Sequence, residues 1–138
     1  MLTQDYVTIY FDGGVHSNRI CVFDEFNNTH KVIYFKRKMT NNELEYEALI
    51  QALCYIHIEM ADHANIMILG DSRLVINQVT GKWVVNKSHL KILNDVAVQW
   101  FRILNNKKKF LGLKWTPRHK NKAGIILEKL IYNETHKR

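Results

Sequence analysis

YVTIYFDGG, residues 6–14, is the stretch on which the fold turns. Its first six residues are mostly β-branched or aromatic and include no charge and no breaker, the pattern of a strand buried on both faces. The run stops at Asp12, and Gly13 and Gly14 follow. A carboxylate at the end of a buried strand is costly to desolvate unless a cation meets it. The two glycines leave room for a backbone or a ligand to come close. Taken alone, Asp12 fits a simple Asp-Gly turn as well. Two further carboxylates in comparable places weigh against that reading.

Working outward, residues 19–26 (RICVFDEF) predict a second strand, Asn27-Asn28 a turn, and residues 31–37 (KVIYFKR) a third strand. Together with the first they make a meander. Thr40 is a helix N-cap and Glu43, three residues on, completes a capping box. The helix runs to about Met60 on an apolar stripe of Leu49, Ala52, Leu53 and Ile56. Glu45 lies on that stripe, where an acid needs a reason; Glu43 and Glu47 read as solvated. Residues 64–69 (ANIMIL) predict a buried strand that ends in Gly70-Asp71-Ser72, with a short helix over 73–79. A strand that hands a carboxylate to a strand–helix turn marks where open α/β sheets hold ligands. A further amphipathic helix covers 87–104, Lys107-Lys108-Lys109 reads as a solvated turn, and residues 110–115 are a fifth strand. Thr116-Pro117 ends it, and the last helix starts at Asn121. The order is β-β-β-α-β-α-α-β-α.

A chain of 138 residues, 46% hydrophobic and 24% charged, suits one domain over 1–138 with its own core. The net charge of +7 points to a polyanionic partner. Cys21 and Cys54 form no framework and no metal spacing, so they read as small hydrophobes in a reducing, cytoplasmic setting. No membrane association is expected: the longest apolar region, 48–58, is interrupted by Gln51 and His57, and the start of the chain has no signal-peptide shape. The seven histidines show no HExxH or paired spacing, which argues against zinc hydrolysis.

Four stretches then carry a resemblance: YFDGG at 10–14, TNNELEYEALIQAL at 40–53, ILGDSRLVINQVTGKW at 68–83 and WTPRHKNKAG at 115–124. With the element order, they make the chain resemble the type 1 ribonuclease H family, in its compact archaeal and bacterial form. The resemblance implies an α/β, ribonuclease H-like fold: a five-stranded mixed sheet, second strand antiparallel, flanked by about four helices. It implies that Asp12, Glu45 and Asp71 are catalytic and bind two Mg²⁺ ions, with Mn²⁺ able to substitute. The implied substrate is an RNA–DNA hybrid cut in its RNA strand, selected through 2′-hydroxyls. By the same resemblance His119 assists proton transfer and Asn18 inherits a 2′-hydroxyl contact. Ser72 and Arg73 face the minor groove, Thr40 and Lys82 touch DNA-strand phosphates, Trp83 stacks on a sugar, and Arg118 grips a phosphate. No obligate protein partner is implied.

The chain also departs from the family. The fourth carboxylate belongs four residues after the Asn of the last motif, and Ile125 stands there. Isoleucine cannot bind Mg²⁺. Two residues are candidates to compensate, Glu128 one helical turn on and His119 in the preceding loop, and each also reads as an ordinary surface residue. The loop after YFDGG is cut down to residues 15–18, and residues 83–109 leave room for one helix, so the basic protrusion of longer relatives is missing. Three readings follow: a Mg²⁺-dependent hybrid endonuclease, attenuated; a degenerate module that binds hybrid or duplex without cutting; or a protein-interaction domain that kept only the fold, against which the net charge and Thr40, Ser72 and Arg73 weigh.

Overall fold

The structure, a computed structural model, describes residues 5–136. One sheet of five strands has the order β3-β2-β1-β4-β5, with β1 (Val7–Gly14) at its centre. β1 is antiparallel to β2 (Arg19–Asp24), which is antiparallel to β3 (Thr29–Tyr34). On its other side β1 runs parallel to β4 (Asn65–Gly70), and β4 parallel to β5 (Phe110–Trp115). The mixed sheet with an antiparallel second strand is as expected.

Side chains alternate along a strand, and β1 uses both faces. Ile9 and Phe11 enter the main core with Leu44, Leu49, Leu53 and Ile56 of α1 (Asn41–Glu59). Tyr10 points the other way, joining Cys21 of β2 and Ala123 and Leu127 of α4 (Lys122–Thr135). Two more helices, α2 (Arg73–Val79) and α3 (Ser88–Asn106), pack on the α1 side; Ala97 and Leu104 of α3 are fully buried there. Among the described residues no helix is long and apolar enough to cross a membrane.

Several expectations are corrected. The first strand does not stop at Asp12: Gly13 pairs with Ile20 and Gly14 with Arg19. β2 ends at Asp24 instead of residue 26 because the Asp24 carboxylate, 1% exposed, accepts from the Asn27 backbone and side chain and from the Tyr55 hydroxyl. That closes the turn early, so β3 restarts at Thr29, opposite Asp24. β3 then stops at Tyr34, and Asn18, at φ 52°, ties down the exit: its Nδ2 donates to the Phe35 and Arg37 carbonyls and its Oδ1 accepts from Met39 N–H. Glu47 is half-buried, not solvated, and burial raises its carboxyl. Lys109 is no solvated turn residue either. It is 7% exposed, and its Nζ donates to the carbonyls of Met60, Ala61 and His63, where a cation meets the negative end of α1.

Candidate functional site

Three elements bring one carboxylate each to the same end of the sheet. β1 supplies Asp12, in register with Cys21; α1 supplies Glu45; and the turn after β4 supplies Asp71. One oxygen from each lies within 4.8 Å of the others.

Each position has a local cause. The capping box forms as expected: Thr40 Oγ1 accepts from Glu43 N–H, and the Glu43 side chain accepts from Thr40 N–H. That start puts Glu45, just past the first turn, on the buried side of the helix, over Gly13. A Cβ on Gly13 would lie 2.6 Å from the Leu44 carbonyl carbon, so only glycine lets α1 settle this close. Gly13 N–H then donates to Glu45 Oε1 at 2.5 Å. Asn121, fully buried, works on the far side: its Nδ2 donates to Phe11 O and to Asp71 Oδ1, both at 3.0 Å, while its Oδ1 accepts from Ala123 N–H to cap α4.

Electrostatically the cluster is unbalanced. Burial, then the charge of Asp71, pushes the Asp12 carboxyl up to about 7. Burial, then Asp12 and Asp71, holds Glu45 well above the usual carboxylate range. Carboxylates this close cannot all ionise without a counterion. The donor set is oxygen only, fitting a hard divalent cation of the Mg²⁺ or Mn²⁺ kind, and Asp12, Glu45 and Asp71 are the residues that would hold it.

The carboxylates line an open cleft of about 540 Å³, whose rim includes His16, Asn41, Ser72, Arg118 and Glu128. Ser72 also caps α2 through Val75 N–H. Arg73 stacks its guanidinium 3.9 Å over the Trp115 ring, and Trp115 Nε1 donates to Asp71 O. Thr40, Lys82 and Trp83 are exposed outside the cleft lining, with Trp83 49% accessible. Asn18 spends its amide on the loop described above, and His119 is exposed on the short 3-10 turn Arg118–Lys120, also outside the lining. Ile125 is exposed and adds no oxygen.

Three residues take roles here that only the folded chain shows. Asn121, at a position where an Asn signals a helix cap, also reaches Phe11 and Asp71. Gly13 offers a donor to Glu45 as well as space. Trp115, at the end of β5, holds Arg73 and the Asp71 carbonyl.

Comparison with known proteins agrees with this geometry. The family described as reverse transcriptase-like matches residues 25–129. A crystal structure of RNase H1 from the archaeon Halobacterium salinarum NRC-1 superposes with a TM-score of 0.72 at 25% identity, covering 94% of this chain and 99% of that one. LC11-RNase H1, isolated from compost by a metagenomic approach, has been solved in complex with an RNA/DNA hybrid. It superposes with a TM-score of 0.69 at 27% identity, covering 91% of this chain and 99% of that one. An uncharacterized protein of Bacillus subtilis (strain 168), YpeP, is 35% identical over 102 residues, which is 67% of this chain and 45% of that protein. The chain thus spans about half the length of that curated relative. The matched family, the shared fold and the three converging carboxylates together make this chain a member of the reverse transcriptase-like family, of the type 1 ribonuclease H kind.

Proposed function

We propose that the protein is a Mg²⁺-dependent endonuclease, with Mn²⁺ as substitute, that cuts the RNA strand of RNA–DNA hybrids. In this reading the 138 residues act as one domain, in the cytoplasm and without an obligate protein partner. The observation that carries it is the meeting of Asp12, Glu45 and Asp71 within 4.8 Å at the floor of an open cleft. Hybrid as substrate is supported by the hybrid-bound relative and by the net charge of +7.

Two divalent ions in such a centre supply an activated water and charge neutralisation at the leaving oxygen. The protein's part is positional. Gly13 N–H fixes one oxygen of Glu45, leaving the other for the centre, and Asn121 orients Asp71 in the same way. Arg118, on the rim, offers a guanidinium to the scissile phosphate. Ser72 and the Arg73–Trp115 stack stand beside Asp71, where they meet the minor groove of a hybrid laid across the cleft. Thr40, Lys82 and Trp83 take the DNA strand, Asn18 supports the loop at a 2′-hydroxyl, and His119 carries a proton to solvent.

A second reading, a module that binds hybrid without cutting it, is favoured by one observation: Ile125 stands where the family has a metal-side carboxylate. A labelled hybrid incubated with Mg²⁺ or Mn²⁺ separates the two. RNA-strand fragments that vanish in Asp12→Asn support the enzyme. Hybrid retained uncut in both metals, with affinity that survives chelation and falls steeply with salt, supports the module.

A further inference from the structure

On α4 the cleft is lined by Gly124, Leu127, Glu128 and Ile131, spaced as one face of a helix. Ile125 stands at the border of that face, adjoining Glu128, and does not line the cleft. A Cβ on Gly124 would sit 2.9 Å from Asp12 Oδ2, so the bare backbone of α4 passes directly beside the Asp12 carboxylate. Residues four apart on a helix have Cβ atoms roughly 5–6 Å apart, and helical side chains tilt toward the N-terminus. Glu128 is therefore aimed back toward Gly124 and the Asp12 carboxylate that lies against it. Its Oε1 stands 3.6 Å from Arg118 Nε, in a pair whose side chains are 63% and 80% exposed. So exposed a pair holds its partners weakly and lets them part.

We propose that Glu128 serves as the fourth carboxylate of the centre, displaced by one helical turn, with Gly124 letting Asp12 lie against the helix within its reach and Arg118 holding it at the rim while no metal is bound. This rests on the metal-dependent reading above. When a divalent cation enters the centre, the Glu128 carboxylate parts from Arg118 and turns toward it. The carboxylate missing at 125 is thus supplied from 128, on the face of α4 that lines the cleft and carries Gly124.

The test is Mn²⁺ binding to the full chain without nucleic acid, read by calorimetry and by the electron paramagnetic resonance signal of free Mn²⁺. Glu128→Gln is expected to weaken binding about tenfold or more, the usual size of a loss around a metal centre. Glu134→Gln, which removes an equal charge from the same helix where it pairs with Arg19, is expected to bind as the parent does. Unchanged affinity in Glu128→Gln, or an equal loss in both variants, overturns the assignment. Parent binding that Asp12→Asn abolishes and Glu128→Gln leaves alone overturns this inference while sparing the nuclease reading. A parent that takes up no Mn²⁺ overturns both.

Discussion

Gly13 gives its backbone N–H to Glu45 Oε1 at 2.5 Å across a contact where the central strand and the first helix touch without a side chain between them. That contact sets the depth of the helix on the sheet and the aim of one carboxylate at once. Gly13→Ala would put a methyl 2.6 Å from Leu44 backbone, which cannot move aside as a flexible side chain would. The expected cost is about 1–3 kcal/mol, as for other overpacked sites. Urea denaturation measures it, and cutting should fall further than the loss of folded protein explains.

Asp12 gives a pH dependence with a definite sign. Its folded pKa, about 7, lies above the ordinary 3.8. Between those values the folded state holds the extra proton. This group's contribution is therefore most favourable below pH 3.8 and is lost as pH rises through about 7. Asp12→Asn, which cannot ionise, should raise the metal-free Tm at pH 8 by about 3–6 °C, the shift that roughly 1 kcal/mol produces. The variant's Tm should vary less between pH 5 and 8. Scanning calorimetry of both proteins in chelator checks it, and a variant Tm below the parent's at pH 8 contradicts the repulsion described for the cluster.

Added Mg²⁺ should act in the opposite sense. It binds the folded state through ionised carboxylates, so its stabilisation of the parent should grow from pH 5 to 8 and be absent in Asp12→Asn. Thermal shifts at fixed Mg²⁺ across that range show whether it does.

Lys109 predicts a purely structural effect. Its Nζ serves three carbonyls at the end of α1, and Lys109→Met would remove that shared donor, leaving Met60 O its bond from His63 N–H. The expected loss is about 1–3 kcal/mol by denaturant titration. Cutting per folded molecule should not change, because the residue is remote from the cleft lining.

Ile125→Asp tests the centre from its vacant position. If Glu128 fills the role, the added carboxylate should raise cutting only about threefold in the parent but by orders of magnitude in Glu128→Gln, the signature of two sites sharing one task. Equal gains in both backgrounds would mean that Glu128 contributes nothing.

Much of this molecule can be read along the chain. Runs such as YVTIYF and NIMIL, the Thr40–Glu43 capping box and the Asp-Gly and Gly-Asp strand ends are local signals, and they place five strands, four helices and two of the three carboxylates. Glu45 also showed itself, as an acid on an apolar stripe. Charge placement could not be read this way: Lys109 sits in a run of lysines and is buried, and Glu47 looks solvated and is not. Nor could the partners of Asn121, which reaches Phe11 across 110 positions and Asp71 across 50. Propensity and periodicity act between neighbours in sequence. Desolvation and hydrogen-bond pairing act between neighbours in space, and folding chooses those.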